Sequence, residues 1–90
     1  MSVLEAVKAI LIDDVFVEIP AEEIQPQDGL RDVLGLDSVG FVELRVQCEA
    51  RFGIEISEAD FAPENFGTVG QVADLVERLI TTRLSAATPA

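Results

Sequence analysis

Residues 37–53 read DSVGFVELRVQCEARFG, and the way this stretch punctuates itself predicts a helix over 38–52. Asp37 opens it with a side chain suited to accept a hydrogen bond from a first-turn N–H. Gly53 closes it with the residue type that turns left-handed after a last helical turn. An advance of about 100° per residue puts Phe41, Leu44, Cys48 and Phe52 on one side and Val39, Val42 and Val46 on another. The four larger residues are expected to face the core and the valines to lie at the rim or in solvent, flanked by Glu43 and Glu49. An apolar stripe edged with acids suits a docking surface for basic partners; it also suits a widened core face. Gly40, in the first turn, costs about 1 kcal/mol relative to Ala. It reads either as a small residue kept so that partners can approach, or as a tolerated surface glycine.

On the N-terminal side, Val3, Val7, Leu11 and Val15 recur every four residues, with Leu4 and Ile10 beside them. They predict an amphipathic helix over 2–18, opened by Ser2 and Glu5 at capping-box spacing and stopped by Ile19-Pro20. Residues 20–36 form a long connection broken by Pro20, Pro26, Gly29 and Gly35. Leu30, Val33, Leu34 and Leu36 are available to pin it to the core, with a turn of helix over 30–34. On the C-terminal side, Ile54 and Ile56 read as core anchors of a loop. Ser57 and Asp60 suggest a short third helix before Pro63. The last helix starts after Thr68, with Gln71 as capping-box partner and Val69, Val72, Leu75, Val76, Leu79 and Ile80 as its apolar side. Residues 85–90 read as a frayed tail. The expected fold is all-α: a small four-helix bundle of three main helices and one short one, with a long first loop and a domain spanning 1–84.

Composition narrows the function. A chain of 90 residues that is 49% hydrophobic is one folded domain rather than a disordered tract. No apolar run approaches the ~18 residues that span a bilayer, and no signal-like segment follows Lys8, so a cytoplasmic location is expected. The net charge of −11 repels nucleic acid and anionic membranes and favours proteins with basic patches. The chain has no His and one Cys, which removes Ser-His-Asp and Cys-His arrangements and leaves a poor donor set for zinc. No catalytic residue and no metal site is expected. Cys48 reads as a buried hydrophobe, the Asp13-Asp14 and Glu22-Glu23 pairs as solvated charge, and Asp28-Gly29 does not continue into a calcium loop.

Asp37-Ser38 alone is a good helix start and no more. Its surroundings say more. The run Leu34-Gly35-Leu36-Asp37-Ser38-Val39-Gly40-Phe41-Val42-Glu43-Leu44 resembles the attachment motif of acyl carrier proteins, in which Leu-Gly-x-Asp-Ser-Leu leads into an acidic helix; Val39 stands where Leu is commoner. The long first loop, residues 52–56 and Thr68-Val69 also fall where that family has them. The resemblance implies that 4′-phosphopantetheine is attached to Ser38 by a separate phosphopantetheinyl transferase. Asp37 would cap the helix and engage the transferase or its metal. Val39, Val42, Glu43, Val46 and Glu49 would dock partners. It further implies a free-standing, monomeric carrier, itself no enzyme, that holds acyl thioesters. Its partners would be a loading enzyme (acyltransferase or adenylation enzyme) and ketosynthase or condensation-type enzymes. Arg45, Arg51 and Gln47 interrupt the negative face of the helix and the segment 61–66 is long, which points toward polyketide, nonribosomal-peptide or related antibiotic-type synthesis. Gly35-Leu36-Asp37-Ser38 favours the acyl type over peptidyl carriers, which usually show Gly-Gly-x-Ser; a discrete aminoacyl (peptidyl) carrier stays open. A passive acidic interaction domain, with Ser38 only a cap, is the alternative from another class.

Overall fold

The computed structural model describes residues 2–87, with side chains as far as residue 83. Three helices carry the fold: α1 (Val3–Asp13), α2 (Ser38–Phe52) and α3 (Val69–Ala87), with one 3-10 turn, Ala21–Glu23, in the long connection. Each start is a cap legible in the local sequence. Ser2 Oγ accepts from Glu5 N–H at 3.1 Å, and Asp37 Oδ1 accepts from Gly40 N–H at 2.8 Å. Thr68 Oγ1 accepts from Gln71 N–H at 3.1 Å while Gln71 Oε1 accepts from Thr68 and Gly67 N–H, each at 3.0 Å. Gly53 takes the left-handed conformation (φ 64°) that ends α2, and Ile54 and Ile56 drop into the core after it.

Two expectations are corrected. The first helix ends at Asp13 rather than 18. Asp13 and Asp14 place negative charge at the helix C-terminus, where the dipole disfavours it, and β-branched Val15 and Val17 prefer extended backbone. The chain leaves through Phe16 at φ 64° and buries Val17 instead. The short third helix does not form. Ser57 caps Asp60 N–H at 3.1 Å and accepts one turn-closing bond from Phe61 N–H at 2.8 Å, but Pro63 biases the residue before it away from helix and has no N–H to give. The turn expected at 30–34 forms. Val33 N–H reaches Gly29 O and Gly35 N–H reaches Arg31 O, and Gly35 at φ 77° then breaks away. The tail expected from residue 85 begins inside α3, whose backbone is helical to Ala87; its remainder, 88–90, lies outside the described residues.

The core gathers Val7, Ile10 and Leu11 of α1, Leu44 and Cys48 of α2, and Val69, Val72, Leu75 and Val76 of α3, with Ile24, Leu30, Leu36 and Phe66 from the loops. The long connection is stitched to the start of α3. Leu30 N–H donates to Gly67 O, Val69 N–H to Asp28 O and Gly70 N–H to Pro26 O, at 3.0, 3.1 and 2.8 Å. Gly29 and Thr68 form an isolated bridge there, and no strand is formed among the described residues. These stitches bring the loop preceding Ser38 against the loop preceding α3, so the start of α2 opens onto a groove between them.

Candidate functional site

Ser38 is the first residue of α2 and is exposed. Asp37 before it is extended (φ −100°, ψ −174°), and its carboxylate is turned onto the helix end. Among the described residues nothing hydrogen-bonds to Ser38 Oγ. Its hydroxyl is therefore free to be modified, at a helix start where N–H groups and the dipole favour an anion.

The hydroxyl borders a cleft of about 600 Å3 lined by Ser38, Phe41 and Val42 of α2, Gly29, Arg31 and Asp32 of the first loop, and Phe61, Pro63, Phe66 and Gly67 of the second. Phe61 and Phe66 meet edge to face, centroids 4.8 Å apart at 90°, and fix the far wall. Arg31 lies over the Phe41 ring, 5.7 Å from its centroid. This wall was not legible in the sequence. The only signal was two phenylalanines five residues apart in a segment noted for its length, and nothing in the sequence sets Arg31 against Phe41.

Around the rest of α2 the two-faced reading survives with changes. Leu44 and Cys48 are buried, Phe41 and Phe52 partly so. Val39 is 76% exposed, and Val42 and Val46 about half. Glu43 accepts from the Gln47 side chain at 2.9 Å and stays beside the valines. Glu49 is half-buried, and one of its carboxylate oxygens accepts the Ile56 N–H at 2.8 Å. Arg45 does not present a free positive charge on the helix. It pairs with Glu58 at 3.0 Å, donates to Ile56 O and lies 4.9 Å from the centroid of the Phe61 ring, strapping the second loop to α2. Gly40 faces inward. A Cβ there would stand 3.2 Å from Leu36 Cγ, so its smallness also eases the packing of the first loop.

No group of three or more potential metal ligands forms among the described residues. The one thiol is unsuited to attack: burial, with the Glu49 charge adding to it, pushes Cys48 up to about 12, and thiolate is the reactive form. No helix among the described residues is long and apolar enough to cross a membrane. An exposed serine hydroxyl beside an open, aromatic-walled cleft fits a phosphopantetheine arm.

Comparison with known proteins agrees. Residues 5–76 match the family model described as "Phosphopantetheine attachment site". The chain is 43% identical over 60 residues to an acyl carrier protein of Solidesulfovibrio magneticus, covering 67% of this chain and 74% of the relative. Its fold matches the solution NMR structure of a holo acyl carrier protein from Nitrosomonas europaea with a TM-score of 0.76 at 27% identity, covering 94% of this chain and 99% of that one. A passive acidic domain is thereby set aside, and the partners common to the family are a phosphopantetheinyl transferase and acyl-processing enzymes. With the exposed serine, the cleft and these matches together, the chain belongs to the phosphopantetheine-attachment family of acyl carrier proteins, and it carries groups for enzymes rather than being one.

Proposed function

We propose that Ser38 is the residue that takes 4′-phosphopantetheine, that the cargo is an acyl group, and that partners dock on the valine stripe of α2. The observation that carries this reading is Ser38 itself: an exposed residue at the first position of a capped helix, its hydroxyl engaged by no other group among the described residues, lining an aromatic-walled cleft. Phosphopantetheine, once attached, supplies the terminal thiol that holds cargo as a thioester. The chain's own residues do the rest. Asp37 fixes the helix start so that Ser38 is presented to the transferase. Phe41, Val42, Phe61 and Phe66 offer an apolar surface on which an acyl chain is withdrawn from water. Val39, Val42 and Val46, with Glu43 beside them, give a partner with a basic rim an apolar strip to cover.

The pathway assignment is polyketide, nonribosomal-peptide or related specialised synthesis. It is supported by the weak charge of the docking helix in a strongly acidic chain. Glu43 and Glu49 are the acids of α2 and Arg45 and Arg51 its bases. With a Glu49 oxygen taken by the Ile56 N–H and Arg45 paired to Glu58, part of that small charge is already engaged. Ketosynthase or condensation-type enzymes follow as downstream partners. The test is loading of the holo protein by acyltransferases and by adenylation enzymes in parallel, read by intact mass. Acyl adducts are expected; loading with aminoacyl groups alone would replace the acyl reading with a discrete peptidyl carrier.

A further inference from the structure

We propose that Arg31 is a built-in counterion for the phosphodiester at Ser38, pinning the root of the arm toward the aromatic cleft. The inference rests on Ser38 being the attachment residue. Arg31 and Ser38 line the same cleft from opposite elements, the first loop and the start of α2. The Arg31 guanidinium forms no ion pair among the described residues; its contact is the Phe41 ring, 5.7 Å away at the centroid. Arg45, by contrast, is committed to Glu58, and Lys8 stands 3.9 Å from Glu5. With no ion pair of its own, this guanidinium has N–H donors to offer, and their fork suits two oxygens of a phosphate.

The surroundings give this charge a task. A phosphodiester on Ser38 adds a negative charge directly after Asp37 and beside Asp32, which lines the same cleft, in a chain already at −11. The helix N-terminus offsets part of that repulsion, but the Gly40 N–H is already held by Asp37. Arg31 is the positive group that lines the cleft. Pairing it with the phosphodiester directs the arm over Phe41 and toward Phe61 rather than out into solvent.

The test uses the holo protein without cargo, so that the phosphodiester is the only anion added. Arginine side-chain NMR is recorded on apo and holo forms, along with contacts between the arm's methyl protons and the Phe41 and Phe61 rings. The Arg31 Nε–H resonance is expected to move on conversion to holo, with arm-to-Phe41 contacts present. Arg31→Gln should cut those contacts by more than half while the amide spectrum of the fold is kept, and Arg31→Lys should restore part of them. An Arg31 resonance indifferent to conversion, or equal arm contacts in holo Arg31→Gln, overturns the proposal. The apo-to-holo comparison decides the matter in the unmutated protein even should a variant fold poorly. Failure of the underlying reading shows separately, by intact mass, as an adduct that persists in Ser38→Ala.

Discussion

Asp37 Oδ1 accepts from Gly40 N–H at 2.8 Å, and that bond sets where α2 begins and so where Ser38 stands. Asp37→Ala is expected to lower stability by about 1 kcal/mol, the usual worth of an N-cap, measurable by urea unfolding. Ser38→Ala, which removes a hydroxyl with no partner, should stay within about 0.5 kcal/mol of the parent. Gly70 is a tighter case. Its N–H donates to Pro26 O, and a Cβ would stand 3.0 Å from the same oxygen. Gly70→Ala gains helix propensity of about 1 kcal/mol but must push the first loop off α3, so a net loss of stability of about 1–3 kcal/mol is expected from the overpacking. Cys48 makes a pH prediction. Its thiol is raised from an ordinary 9.0 to about 12, first by burial and then by Glu49. The native state therefore holds a proton that the unfolded chain releases. Its contribution is intact below pH 9 and is lost progressively as the pH climbs toward 12. Urea midpoints measured upward from pH 8 should decline, and Cys48→Ala should flatten that part of the slope.

At the scale of elements, α2 presents different faces to the core, the second loop and solvent. The exposed valines make the docking prediction: Val39→Asp or Val46→Asp should slow transfer by partner enzymes by roughly tenfold, as loss of an interface anchor does, with an unchanged thermal midpoint. Should such variants lose neither rate nor affinity with several partners, the stripe is not the docking surface. Arg45→Gln addresses the strap to the second loop, and amide exchange at Ile56 and Phe61 should quicken while that in α1 does not. The same helix shows what a sequence discloses. Asp37, Gly53, Thr68 and Gln71 were legible because a cap is settled within four residues of chain. The split between Leu44 and Val42 was legible because it follows from helical period alone. The partners of Glu49 and Arg45, Ile56 and Glu58, were not legible because they are contributed by a loop whose path is fixed by tertiary packing. The end of α1 was misplaced because Val15 continues the apolar period while Asp13 and Asp14 oppose the dipole, and the buried site for Val17 settles the contest. The cleft wall was the least legible part: Phe61 and Phe66 acquire their meaning only once the second loop folds back against α2.

For the molecule as a whole, charge and the absence of histidine point the same way. A net charge of −11 steers basic partners and repels itself, so added salt has opposite effects on two observables. About 0.2 M salt, which shortens the screening length to well under 10 Å, should slow association with a basic transferase while raising the urea midpoint of the free protein. A salt-independent association rate would argue against electrostatic steering. The stitches from the first loop to α3 hold Ser38 at the rim of the cleft, and the fold needs nothing more of that serine than its position. We propose that this position is the point of attachment. Incubation with coenzyme A and a broad-specificity phosphopantetheinyl transferase, read by intact mass, tests it most directly. A single phosphopantetheine adduct is expected on the parent protein and none on a folded Ser38→Ala variant; no adduct on the parent, or one on that variant, would overturn attachment at Ser38.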